Sequence, residues 1–215
     1  MRRVVIIDPG SGNLASVRRA VEHAADAPLQ VELVREAAAL HGADAIIMPG
    51  QGAFAACRAG LDALEGMVGA LYEAVRVRAT PFLGICVGMQ LLAERGLEHG
   101  VTPGLAWLQG EVAPMDPRGP EGEALPLPQM GWNGLDFAPG SHPLLAGLEP
   151  GDHAYFVHSY AWRGAAPGRV LATTDYGGPV TAIVGEDNIV GTQFHVEKSA
   201  ATGLTILRNF LQWRP

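Results

Sequence analysis

Four short, largely apolar runs, at residues 4–7, 31–34, 45–48 and 81–85, are bounded by turn-forming residues. Runs this short, with little polar alternation, predict strands buried on both faces, as in a parallel sheet. Between them the apolar positions recur every three or four residues. Leu14, Val17, Val21 and Ala24 form one such stripe after Asn13, a residue suited to cap a helix. Leu61, Leu64, Val68, Leu71 and Val75 form another, interrupted by Gly66 and preceded by Gly60. Strand alternating with helix over roughly the first hundred residues predicts a βαβ architecture.

Later the texture changes. Residues 112–143 are rich in Pro and Gly, and strand-like runs at 154–160, 169–173, 180–184 and 189–195 follow one another without helical stripes. These predict an antiparallel or mixed extension of the same sheet rather than a second domain. Ser199 opens a closing helix whose Leu204, Leu207 and Leu211 share one face. Residues 1–215 therefore read as one α/β domain with a mostly parallel sheet.

Composition narrows the function classes. Charged residues are 17% of the chain, against a usual share of about 25%. The net charge is −7, and no basic cluster exceeds two residues, so no nucleic-acid footprint is present. Cys57 and Cys86 stand in no paired-ligand spacing, which predicts neither a disulfide framework nor a zinc site; no metal or cofactor is expected. Only four apolar residues separate Met1-Arg2-Arg3 from Asp8, against the 7–15 or so of an export signal. The most apolar stretch, residues 81–93, is shorter than the roughly 18 residues of a membrane span. The expectation is a soluble, cytoplasmic protein with no membrane partner.

Two glycine loops follow strands and open helices. Gly10, Gly12 and Ala15 fit the loose dinucleotide pattern, and so does the loop at Gly50-Gln51-Gly52. A pattern found twice is cheap, and Asp8 would oppose a pyrophosphate, so the first loop reads as a tight turn. The second can present backbone N–H groups free of side-chain cover.

The most informative stretch is Gly84-Ile85-Cys86-Val87-Gly88, where a buried strand runs into a helical pattern. A sharp strand-to-helix turn holds its central residue in a strained, presented conformation, and flanking glycines let strand and helix pass closely. Cys86 at a helix start gains from the positive end of its dipole, and the Val87 N–H can donate to an oxyanion. Cys57, among alanines, reads as a buried structural thiol. A thiolate needs an imidazole and a group that orients it. His195 ends an apolar run and Glu197 follows two residues on, which in extended chain puts both side chains on one side. His158 reads as either a satisfied polar group or part of a substrate wall.

With these residues in place the chain resembles the class I glutamine amidotransferases, and among them the glutaminase subunits of imidazole glycerol phosphate synthase. The likeness is carried by Gly12-Asn13-Leu14, Pro49-Gly50-Gln51-Gly52, the Cys86 elbow through Gln90, Met130-Gly131-Trp132-Asn133, Tyr155 to Tyr160 and Gln193 to Ser199. It implies a flavodoxin-like doubly wound fold and a Cys86–His195–Glu197 triad. It also implies oxyanion donors from Val87 and the Gly50-Gln51-Gly52 loop. Gln90, Ser159 and Tyr160, with the backbone of Gly50 and Gly52, would hold glutamine. A (β/α)8 cyclase subunit would dock on Asn13, Met130, Trp132, Tyr155 and Lys198 and consume the ammonia. Two departures stand out: Val196 replaces the family's usual Pro between His and Glu, and Gln51 replaces a small apolar residue.

Two rival readings are open to the residues. An α/β-hydrolase-type thiol hydrolase shares the elbow but places its acid before its histidine, whereas Glu197 follows His195. A non-catalytic flavodoxin-like binding module would leave Cys86 incidental. Within the resemblance, a pyridoxal-phosphate or anthranilate pathway glutaminase is disfavoured by Met130-Gly131-Trp132-Asn133.

Overall fold

Val4 to Ile7 have no solvent exposure, nor do Ala45, Ile46 and Ile47, nor Phe82 and Leu83. Those strand residues are covered on both faces, as expected of a parallel sheet between helical layers. The structure is a computed structural model describing residues 1–10 and 12–215; Ser11 of the first glycine loop lies outside the described residues. Its first half runs β1 (Arg2–Ile7), α1 (Leu14–Ala24), β2 (Leu29–Val34), β3 (Ala45–Gly50), α2 (Phe54–Asp62), α3 (Met67–Tyr72), β4 (Phe82–Cys86) and α4 (Val87–Gln90). The second half runs β5 (Arg95–Gly96), β6 (Thr102–Pro103), β7 (Glu111–Pro114), β8 (Gln129–Gly134), β9 (His153–His158), β10 (Tyr160–Arg163), β11 (Val170–Asp175), β12 (Pro179–Glu186), β13 (Ile189–Thr192) and α5 (Ala200–Gln212).

The seven-stranded sheet has the order β11-β12-β13-β4-β3-β1-β2. From β13 to β2 every neighbouring pair is parallel, while β12 and β11 add antiparallel strands at one edge. The β1–α1–β2 crossover moves one way along the sheet and the connection from β3 to β4 moves the other. Right-handed crossovers of opposite direction put their helices on opposite faces, which makes the sheet doubly wound. Accordingly α1 packs against α5, and α2 against α3 and α4. The carboxyl ends of β3, β4 and β13 lie side by side, since Gly50 pairs with Cys86 and Thr192 with Ile85.

Four expectations need correction. The stripe from Leu61 to Val75 is not one helix: Gly66, at φ +70°, breaks it between α2 and α3, because a left-handed residue cannot continue a right-handed turn. The run at 154–160 is not part of the large sheet. It divides at Ser159 into β9, which pairs with β8 as a separate two-stranded ribbon, and β10, which joins β7, β5 and β6. The run at 189–195 leaves the sheet after Thr192. Finally, the helix after the elbow is a single turn, α4, so the dipole available to Cys86 is smaller than a full helix would supply.

Candidate active site

Cys86 sits where β4 ends, at φ +54° and ψ −114°, a conformation that costs an L-residue about 1–3 kcal/mol. The glycines around it are there for room. A Cβ on Gly84 would stand 2.6 Å from the Gly88 carbonyl oxygen, one on Gly50 would stand 2.8 Å from the Gly88 nitrogen, and one on Gly88 would overlap the Met48 carbonyl. The chain thus turns so tightly that strand, elbow and helix touch by backbone. Cys86 is 4% exposed, less open than the elbow pattern predicts, yet it lines a cavity of about 310 Å³ with Val87, Gln90, His158, Ser159, Tyr160, His195 and Lys198.

His195 reaches the sulfur from the end of β13. Its Nδ1 lies 2.8 Å from Glu197 Oε1, and the ring shares the cavity with Cys86, which acts on it electrostatically. The pairing is as expected but its geometry is not that of a strand. Val196–Lys198 is a 3₁₀ turn, and Glu197 folds back to His195 across it with its carboxylate almost fully buried. Val196 occupies the first position of this turn, where a Pro also fits, so the local backbone is reached without one. Ser199 begins α5 without capping it. Its hydroxyl instead donates to the His195 carbonyl at 2.6 Å and accepts from the Tyr155 N–H at 3.0 Å, tying the histidine to β9. Burial alone would push the His195 imidazole down. Hydrogen bonds and charge from Cys86 and Glu197 outweigh it and raise the group to about 9. At neutral pH His195 is an imidazolium facing sulfur.

His158 is the reverse. Burial pushes it down to about 4, the bond to the Tyr160 carbonyl offsets only part of this, and nearby His195 adds repulsion. The second glycine loop closes over the other wall. Gly52 adopts φ +85°, the Glu98 carboxylate accepts from the Phe54 N–H at 2.7 Å, and the Cys57 thiol donates to the Gln51 carbonyl at 3.0 Å. Gln51 and Gly52 line the cavity; Gly50 lies behind them as the last residue of β3.

Gln90 is buried and already engaged. Its Nε2 donates to Gln193 Oε1 at 3.0 Å and toward the Tyr160 carbonyl at 3.3 Å, while Gln193 Nε2 lies 3.8 Å from the Cys86 sulfur. Sequence reasoning gives Gln193 no role of its own, although its spacing of two from His195 mirrors that of Glu197. Glu98, also in the cavity wall, has no sequence signal at all, and Val157 is read only as part of the run from Tyr155 to Tyr160.

The residues expected to meet a partner separate by position. Met130 and Trp132 are 63% and 51% exposed on one face of the β8–β9 ribbon. Trp132 meets Tyr155 edge to face at 5.7 Å, and Lys198 Nζ lies 5.9 Å from the centre of the Tyr155 ring. Lys198 also lines the cavity, so this exposed cluster adjoins it. Asn13 is exposed and caps α1 through the Ser16 N–H at 3.2 Å.

Residues 5–213 match the glutamine amidotransferase class-I family. The chain is 56% identical to the imidazole glycerol phosphate synthase subunit HisH of Rhodospirillum rubrum, over 99% of this chain and 100% of that one. It is likewise 56% identical to the HisH subunit of Granulibacter bethesdensis, over 99% and 97%. Among solved structures, a glutamine amidotransferase superposes with a TM-score of 0.72 at 20% identity, covering 97% of both chains. PurLQS from Thermotoga maritima superposes with a TM-score of 0.69 at 18% identity, covering 98% of both, and at that distance each superposition speaks for the fold. The chain belongs to the class-I glutamine amidotransferases and, within them, to the HisH group.

Proposed function

We propose that this chain hydrolyses glutamine to glutamate and ammonia through a thioester on Cys86, as the glutaminase subunit of an imidazole glycerol phosphate synthase of histidine biosynthesis. The observation that carries this reading is the sulfur–imidazole–carboxylate line at the floor of a cavity, in a chain of this family. The sulfur attacks the side-chain carboxamide carbon, and the carbonyl oxygen takes up charge facing the Val87 N–H and an amide of the Gly50-Gln51-Gly52 loop. As the C–N bond breaks, the His195 imidazolium gives its proton to the departing nitrogen. Water then adds to the thioester carbonyl while His195 takes a proton from it. The C–S bond breaks and glutamate leaves. Glu197 keeps the imidazole oriented and favours its charged form throughout.

Gln90, Ser159 and Tyr160, with the backbone of Gly50 and Gly52, hold the amino-acid head of glutamine at the cavity wall. Residues 1–215 act as one catalytic domain in the cytoplasm, where a thiol such as Cys86 stays reduced. The relatives are named as subunits, and the partner we assign is a (β/α)8 cyclase docking on Asn13, Met130, Trp132, Tyr155 and Lys198. Two exposed large apolar side chains beside the cavity support this, because such a patch next to a site marks a surface that another protein covers. A glutamine-mimicking diazoketone tests the reading: it should alkylate Cys86, glutamine should protect, and Cys86→Ala should take up no label. Alkylation elsewhere, or labelling indifferent to glutamine, overturns it.

A further inference from the structure

Gln193 is fully buried just past the end of β13, and nothing in the reaction above uses its side chain. The register that sets Thr192 against Ile85 brings Gln193 level with Cys86 at the end of β4. Its amide is held at both ends. Oε1 accepts from Gln90 Nε2 at 3.0 Å, and Nε2 lies 3.8 Å from the Cys86 sulfur. Sulfur is larger than oxygen, so an N–H donor stands farther from it than from a carbonyl.

The polarity of these two amides is fixed from outside them. An amide's oxygen and nitrogen exchange places on a half-turn, so the orientation of each glutamine has to come from its partners. The Tyr160 carbonyl can only accept, and it lies 3.3 Å from Gln90 Nε2. Turning Gln90 over would set its oxygen against that carbonyl oxygen, so Gln90 keeps its N–H groups toward both Tyr160 and Gln193. Gln193 must then offer its oxygen to Gln90, which leaves its own N–H groups for the sulfur. Cys86 is only 4% exposed, so an anionic sulfur there has little water around it and draws on fixed donors.

We propose that Gln193 donates an amide N–H to the Cys86 sulfur, through a relay oriented by the Tyr160 carbonyl, and stabilises that sulfur as an anion. The anion occurs twice in the reaction: before the sulfur attacks the carboxamide carbon, and again when the C–S bond of the thioester breaks and the electron pair stays on sulfur. The thioester between them carries no charge on sulfur and gains little from the donor, so the amide favours the step in which sulfur leaves. Gln193 is thus a catalytic residue, and Gln90 acts on the sulfur through it as a positioning residue.

The catalytic meaning of this contact rests on the glutaminase reading, whereas its test needs no glutamine. Iodoacetamide alkylates a cysteine as the thiolate, so the pH at which labelling of the Cys86 peptide reaches half its plateau rate reports how well the anion is held. His195, His158, Glu98 and Lys198 share the cavity with the sulfur, and Glu197 holds His195. These groups are common to wild type and variant, so a change on substitution is read against the same charges. Gln193→Met, close in length and without a donor, should move the half-rate pH up by about one unit, the worth of one hydrogen bond to an anion. With the cyclase subunit bound, kcat for glutamine should fall about tenfold and KM should change less than about threefold, because Gln90 keeps the Tyr160 carbonyl. A residue that merely props Gln90 would raise KM and leave the half-rate pH at its wild-type value, and that result overturns the proposal. Should the Gln193→Met chain fail to fold, Gln90→Met decides. It frees the Gln193 amide to turn its oxygen to the sulfur, so the half-rate pH should again rise, by a smaller step, and an unchanged value overturns the proposal. A wild-type complex that hydrolyses no glutamine, with the shift present, overturns the glutaminase reading and leaves the hydrogen bond standing.

Discussion

Two histidines line one cavity, and the regions that carry them have made them into opposite reagents. At the end of β13, the turn from Gln193 to Ser199 sets His195 between a sulfur and a buried carboxylate, and the ring is raised to about 9. At the end of β9, the backbone gives His158 a single carbonyl and no charge of opposite sign, and the ring falls to about 4. Both are buried, so burial does not decide their chemistry. The partner does: a carboxylate and a sulfur make a proton carrier, whereas a carbonyl makes a permanent acceptor.

The sharpest way to break this comparison is to exchange the consequences. His195→Asn should lower glutamate formation by about 10⁴-fold or more, as removal of a general base from a triad does. His158→Leu, in the same cavity, should lower it by no more than about tenfold. Comparable losses at the two positions would show that the division of labour is wrong. Glu197→Gln comes next, with a loss of about 10³–10⁴ in kcat. The sign of its pH effect is fixed. Wild-type activity should fall as pH rises through about 9, where His195 loses the proton it gives to the leaving nitrogen. Without the carboxylate that limb moves to lower pH, and a limb that stays in place would show that Glu197 does not hold the charge.

The same pair gives stability two opposite slopes. His195 is raised above its unfolded value of about 6.5, so its contribution is fully present below pH 6.5 and is lost as pH rises through about 9. His158 is lowered, so the unfolded chain binds a proton there that the folded chain refuses between about pH 6.5 and 4. Folding loses up to a few kcal/mol as pH falls through that window. A pH series of melting temperatures should show His158→Gln less acid-sensitive than wild type between pH 6.5 and 4, and the two curves parallel near pH 8. Equal acid sensitivity would mean that His158 is protonated in the folded state.

The sequence made one of these regions far more legible than the other. β1, β3 and β4 are apolar with scarcely an interruption, and the elbow glycines have no other physical purpose than close backbone passage, so strand, turn and nucleophile could be read together. His195 and Glu197 were readable as a pair, but their contact comes from a 3₁₀ turn that spacing alone did not show. The other region was not readable. The break at Ser159 depends on which sheets β9 and β10 join, a tertiary matter, and the run from Tyr155 to Tyr160 carries no turn residue such as Gly or Pro to mark it. Gln193 and Glu98 gain their roles from neighbours far along the chain, Gln90 and Phe54, which no local pattern records.

The mildest expected effect lies at the cavity's rim, at exposed Lys198. This residue follows Glu197 directly, lines the cavity and reaches its ammonium toward the Tyr155 ring, which in turn meets exposed Trp132. A cation over an aromatic face at a partly open position contributes about 0.5–1 kcal/mol. Loss of that contact should weaken the link between the proposed docking face and the turn that holds His195, and do little to the sulfur itself. Lys198→Ala should therefore reduce the stimulation of glutaminase by the cyclase subunit about two- to fivefold, while the rate at which a diazoketone alkylates Cys86 in the isolated subunit changes less. An unaltered stimulation ratio would place the link elsewhere on the ribbon, and a collapse of alkylation would make Lys198 part of the reactive site rather than of its communication with a partner.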